Sequence, residues 1–282
     1  MSGASMNDIK ARIKSVQSTM QITKAMELVA SSKLRRAKER AERSRPFYEA
    51  QRAAIATLQS SGELTNSPFC TGNENLPTLY VVIAGDRGLA GGYNANVFRL
   101  VASLAKDGDT YLPVGKKALD YYRHRKMPTL SERYEYTAEV GVGGCLAMAR
   151  KICRAFLDGR FGRVVLVYTH FTSMLTQTPK YETVLPLCPC EFEGEALGDP
   201  IIEGDLEEMM LEVVPEYVSG VLYCAVCESV ASESGARRSA MSNANKNAGE
   251  IIDTLTLKYN RARQAVITQE ITEIVSGAEA LG

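Results

Sequence analysis

An α/β fold flanked by two long helices is what this sequence predicts, and three observations carry the prediction. Residues 7–45 contain neither proline nor glycine, in a chain that has 22 glycines and 10 prolines. No proline occurs after Pro215. Between these runs, short apolar stretches alternate with glycine-rich turns and helix-forming segments.

The first run reads as one long helix. Its apolar residues Ile9, Ile13, Val16, Met20, Met26, Val29 and Leu34 step mostly by three and four, which gathers them on one stripe. Ala37 and Ala41 continue the stripe with small residues that permit close approach. Pro46 is expected to kink the helix, which should stop before Gly62. A rod of roughly 75 Å follows from a rise of about 1.5 Å per residue. After Pro215 a second rod of about 90–100 Å is expected on the same rule. Its stripe is Met241, Ile251, Leu255, Ile267, Ile271 and Ile274, with Ala244 and Ala248 between them. A lone helix of such length has no core, so the two runs are candidates to supply each other's, as an antiparallel or otherwise paired coiled coil. The boundaries expected are 7–60 and 205–282.

The region 76–190 has a different texture. TLYVVIA reads as a buried strand, followed by a glycine-rich turn and a helix over 94–106. TYLPVG, the helix-like LAMARKICRAFLDG, and the strands RVVLVYTHF and YETVLPL continue the alternation. A mostly parallel, Rossmann-like sheet covered by helices accounts for this order. QSSGELTNSPFCTGNENLP and CPCEFEGEALGDP, rich in Gly, Pro, Asn and acids, are the connectors.

Composition removes several function classes. With 33 basic and 33 acidic residues the net charge is zero, so no global field draws the protein to nucleic acid or an anionic membrane. No apolar run approaches the roughly 20 residues needed to cross a bilayer, and MSGASMNDIK carries no signal-peptide core, so a soluble cytosolic protein is expected. The seven cysteines are odd in number and scattered, which points to reduced thiols.

The motifs are sparse in chemistry. The turn Gly85–Gly92 feeds a helix, where phosphates often sit, but it has no G-x-G-x-x-G and no lysine after its last glycine. A tight turn with packing or partner duties is the simpler reading. The only histidines, His124 and His170, fit no catalytic pattern and are read as solvated or core residues. Cys224 and Cys227 have the spacing of a buried helix face, and Cys188-Pro189-Cys190 would form a strained disulfide. No catalytic, cofactor-binding or metal-ligating residue is assigned. Charge is nevertheless patterned: Lys33, Arg35, Arg36, Lys38, Arg40, Arg43 and Arg45 form a basic collar opposed by Glu39 and Glu42, whereas 191–216 carries acids alone. The collar is either a solvated face or a surface that meets an acidic partner.

Both ends and the middle also resemble one family. ITQEITEIVSGAEA over 267–280, preceded by LKYNRARQ over 257–264, is similar to the C-terminal signature of the gamma subunits of F-type ATP synthases. IKSVQ over 13–17, ITKAMELVA over 22–30 and DRGLAGG over 86–92 resemble the N-terminal helix and the opening loop of the α/β domain of that family. The resemblance implies an antiparallel coiled coil inside an α3β3 catalytic ring. It also implies the epsilon subunit and a membrane c-ring as partners, no nucleic acid and no cofactor. Function, on this resemblance, is that of a non-catalytic central-stalk rotor coupling proton-driven rotation to the β sites, on the cytoplasmic face of a bacterial plasma membrane. Contacts with β would fall on Arg263 and Gln264, with Thr268 and Glu270 in the same helix; on Lys24 and Met26; and on Arg87 and Ala90 near an acidic lever loop. Plastid relatives insert a regulatory dithiol after a segment like 185–187; this chain has only Cys188-Pro189-Cys190 there, which implies no thiol control. The family's frequent methionine near Arg238 is also absent. A nucleotide-binding α/β enzyme with helical dimerisation arms is the competing reading.

Overall fold

Alternation along the first strand decides how the middle of the chain is layered. In the computed structural model, which describes residues 6–60, 67–134, 136–173, 176–187 and 205–279, β1 is Thr78–Ile83. Leu79, Val81 and Ile83 face one side and Tyr80 and Val82 the other, and all five are buried. A strand apolar on both faces needs a cover on each. Helix α4 (Val142–Leu157) and the first part of α5 (Leu206–Glu279) cover one face. The other is covered by α2 (Tyr93–Leu104) and α3 (Lys116–His124).

The sheet order is β2-β1-β3-β4, with β2 at Thr110–Val114, β3 at Arg163–Phe171 and β4 at Gln177–Leu185. β1 pairs in parallel with β2 and β3, with Val81 opposite Leu112 and Leu166. β4 runs antiparallel to β3, so the expected mostly parallel sheet is confirmed with one antiparallel edge. Both strand prolines, Pro113 and Pro179, lie on the edge strands, where a missing N–H does least harm. Buried Asp109 ties the sheet to the turn after α2, accepting from Thr78 N at 2.8 Å and Lys106 N at 2.7 Å.

The chain divides into two units: residues 1–29 with 238–282, and residues 30–237. In the second, α1 (Met6–Ser60) and α5 run antiparallel, since Arg40 meets Tyr223 while Gln51 donates to the Glu216 carbonyl at 2.9 Å. Both helices run through their prolines, Pro46 and Pro215. Helix α5 begins at Leu206, within the acidic stretch and ahead of Pro215. The apolar part of α5 suits a bilayer crossing by length and composition, contrary to the sequence expectation. However, 61% of its most apolar 18-residue window is buried inside the protein, as a core helix would be.

Three thiols share the fate of this core. Burial pushes Cys145 and Cys153 up to about 12 and Cys224 up to about 11, from an ordinary value of 9.0. A raised thiol pKa favours the folded state below pH 9, and that contribution is lost as pH rises through 9 to 12. Iodoacetamide at pH 8 is therefore expected to modify Cys145 and Cys153 at least about a hundredfold more slowly in the native chain than in urea, read by mass spectrometry. Equal rates would show that these thiols are not held in the core. Cys188 and Cys190 lie outside the described residues.

Candidate functional site

The sequence-predicted contact residues fall into the two units. In the first, α1 and α5 meet through a seam. On α1 the half-buried positions are Ile9, Ile13, Val16, Met20, Thr23, Met26 and Glu27. Val29 is 56% exposed and lies off the seam, because the period selected Met26 and Glu27 instead. On α5 the seam is Met241, Ala244, Asn245, Ala248, Ile252, Leu255, Tyr259 and Ala262. Ile251, expected inside, is 47% exposed and Ile252 takes its place. Polar groups fix the register: Thr23 hydrogen-bonds Asn245, and Asn245 Nδ2 donates to Glu27 Oε2 at 2.9 Å.

Lys24 lies exposed beside this register point and Met26 is half-buried in it. Arg263, Gln264, Thr268 and Glu270 are all exposed, on the far side of Ala262, where the seam ends. Arg263 is 18 positions beyond Asn245, or about 27 Å along the helix. The two groups are therefore separated along α5. From 263 to 277 every described side chain is exposed, including Ile267, Ile271, Ile274 and Val275. These isoleucines, expected on the paired stripe, instead give a bare apolar surface at the end of the helix.

In the second unit, the turn after β1 is held from three sides. Asp86 Oδ1 accepts from Thr137 N at 2.7 Å and Oδ2 from Ala138 N at 3.2 Å. Gly85 N donates to Asn94 Oδ1 at 2.8 Å, which ties the turn to the first residues of α2. From α5, Glu233 reaches into the turn: its Oε1 accepts from Arg87 N at 3.4 Å, and its carboxyl carbon would lie 2.8 Å from a Cβ at Gly85. Arg237 pairs with Glu233 and donates to the Gly88 and Arg87 carbonyls, the last at 3.4 Å. The pair is nearly closed off, with side chains 10% and 13% exposed. Glu233 thus places its own carboxylate where a phosphate-binding turn would hold an external anion. Glu233 and Arg237 were not singled out from sequence. The available signal was a lone acid among the small residues SVASES, four positions ahead of an arginine.

The turn presents Arg87 outward, exposed and without an ion-pair partner among the described residues, beside Leu89, which is 63% exposed at φ 62°. Ala90 faces inward, 3% exposed, and its carbonyl accepts from Tyr93 N. His170 makes an exposed 2.7 Å contact with Glu228, and exposed His124 lies 2.7 Å from the Asp120 carbonyl.

Comparison with known proteins adds a scale to this geometry. A family model described as ATP synthase matches residues 5–281. The ATP synthase gamma chain of Ruminococcus albus is 44% identical over 281 residues, covering 98% of each chain. That of Halothermothrix orenii is 42% identical, over 98% of this chain and 99% of its own. The gamma chain of Acetobacterium woodii, described as sodium ion specific, is 40% identical over 97% and 98%. Among solved structures, the rotor of the Euglena gracilis mitochondrial ATP synthase matches in fold with a TM-score of 0.63 at 19% identity, over 94% of this chain and 100% of that one. The central stalk and c-ring of the Tetrahymena thermophila enzyme gives 0.59 at 26% identity, over 79% and 99%.

Proposed function

Since the chain belongs to the ATP synthase gamma-chain family, we propose that it is the central-stalk rotor subunit of a bacterial F-type ATP synthase. It couples ion-driven rotation of a membrane c-ring to the conformational cycle of the β sites in an α3β3 ring, with an epsilon subunit beside it. The ATP chemistry belongs to the ring, and this chain acts by contact. Ion choice belongs to the c-ring; one relative is described as sodium ion specific. The complex sits on the cytoplasmic face of the plasma membrane, with this chain attached peripherally.

The observation that carries the reading is the full-length match to gamma chains, set beside an α5 whose last turns are bare. A rod end that must turn inside a sleeve needs a surface without fixed partners of its own. On this reading residues 7–60 and 205–282 form the shaft and 76–190 a foot domain. Arg263 and Gln264, helped by Thr268 and Glu270, meet the β catch; Lys24 and Met26 pass the facing β surface. Arg87 pairs with an acidic lever loop of β. Ala90, turned inward, acts by holding the turn's shape.

Reconstitution tests this. Purified α and β subunits with this chain are expected to form a complex with ATPase activity, and no active complex would overturn the reading. In the complete enzyme, with its c-ring in sealed vesicles under an ion gradient, Arg263→Ala is expected to lower the ratio of ATP synthesis to hydrolysis by about threefold to tenfold, as loss of one charged contact would. The melting temperature of the isolated chain should not move, because Arg263 is exposed. An unchanged ratio would remove Arg263 from the interface.

A further inference from the structure

The basic collar borders an open groove. In the second unit a groove of about 410 Å³ opens between α1 and α5, beside the first residue of α4. Arg36, Arg40, Arg43 and Phe47 line it, at successive steps of four, three and four on one face of α1. Tyr223 and Cys224 of α5 and Val142 of α4 close the other sides.

The three arginines differ in what they already hold. Arg40 is committed to the fold: Nε donates to Tyr223 Oη at 2.7 Å and Nη2 to the Val140 carbonyl at 3.0 Å. Its guanidinium lies 5.0 Å from the Tyr223 ring centre. Glu39, the one acid in the lining, lies 3.9 Å from Arg35. Arg36 and Arg43 have no carboxylate partner among the described residues. Cations stacked three and four apart on one helix face repel, so a bound anion would relieve the stripe. The apolar half of the lining is equally uncovered: Phe47 is 56% and Val142 51% exposed.

We propose that this groove binds an organic anion with an apolar body, a carboxylate or phosphate carried on an aliphatic chain or ring. Arg36 and Arg43 receive the acid oxygens, as planar guanidinium groups do in charge-assisted pairs. Phe47, Val142 and the Tyr223 ring take the body. The volume is within the range of small-ligand sites, about 300–1,000 Å³. A free fatty acid and the acid end of a lipid share this chemistry. The proposal does not rest on the rotor reading.

Calorimetry with the full chain tests it. Decanoate is expected to bind saturably at one site, with decanol and inorganic phosphate each at least about tenfold weaker, because each lacks one half of the recognition. Arg36→Gln with Arg43→Gln is expected to weaken decanoate about tenfold or more while circular dichroism stays unchanged, both side chains being exposed. Phe47→Ala, which removes the apolar contact and keeps the charge, provides a second variant with the same expected direction. Saturable decanoate binding lost in both variants supports the site. Flotation with phosphatidylglycerol vesicles, against phosphatidylcholine vesicles, separates the sources: arginine-dependent flotation together with decanoate binding assigns a lipid acid, and decanoate binding alone assigns a free one. No saturable decanoate binding, binding equal to that of decanol or phosphate, binding unchanged in the variants, or flotation without decanoate binding would each overturn the proposal.

Discussion

Gly162→Ala is expected to lower the melting temperature of the chain by about 6–12 °C, a loss of about 3 kcal/mol. A Cβ at this position would stand 1.7 Å from the Asn73 carbonyl oxygen and 2.7 Å from its carbon. These are backbone atoms and cannot swing aside as a side-chain end would. They are also tied in place: Asn73 N donates to the Gly162 carbonyl at 3.3 Å, and Gly162 N donates to the Pro77 carbonyl at 3.1 Å. Relief of the clash therefore means moving the segment that leads into β1 away from the entry to β3, the two strands at the centre of the sheet. Gly143→Ala is the matching control. It sits in the first turn of α4, a Cβ there meets nothing within 4 Å, and the melting temperature should hold or rise slightly. Equal melting of Gly162→Ala and wild type would mean that the close approach is not maintained in solution.

The second large effect is expected at Glu233. Glu233→Ala removes the carboxylate that accepts from the Arg87 backbone and pairs with Arg237, leaving a guanidinium that is 13% exposed facing carbonyl oxygens alone. Removing one partner of a buried pair costs about 3 kcal/mol, because the remaining charge stays desolvated. The turn should loosen as well as the fold weaken. Cleavage by trypsin after Arg87 is expected to be at least about tenfold faster in Glu233→Ala than in wild type, followed by mass spectrometry. In a double-mutant cycle, Glu233→Ala with Arg237→Ala should cost clearly less than the sum of the two single changes. Additive costs and unchanged cleavage would mean that the pair does not hold the turn.

The terminal helices were legible because their evidence is local. Absence of proline and glycine over 7–45 and a three-four stripe need no knowledge of a partner. The central strands were legible for a similar reason, since β1 and β3 are continuous apolar runs and their observed bounds follow those runs closely. Helix α3 was missed: it has nine residues, its buried face is only Ala118, Leu119 and Tyr122, and Gly115 at φ 98° gives no side-chain cap. Which of two adjacent residues enters a seam also escaped the sequence reading. Ile251 and Ile252 are equally apolar, and the choice of Ile252 depends on the facing helix. Helix α5 starts at Leu206, ahead of Pro215, and Glu207 and Glu208 suit its first turn. At the turn, the glycines were visible but their cause was not, because Glu233 lies about 150 residues away in the chain.

The division of the chain carries a consequence for its birth on the ribosome. The first unit joins residues 1–29 to residues from 238 onward, so about 200 residues must be translated between its two halves. At about 5–20 residues per second, the half-apolar seam of α1 waits on the order of 10–40 s for its mate. During that interval the nascent helix is an exposed hydrophobic stripe, of the kind that chaperones hold and that aggregates when they do not. Completion of this unit thus waits on translation of the segment from residue 238 onward.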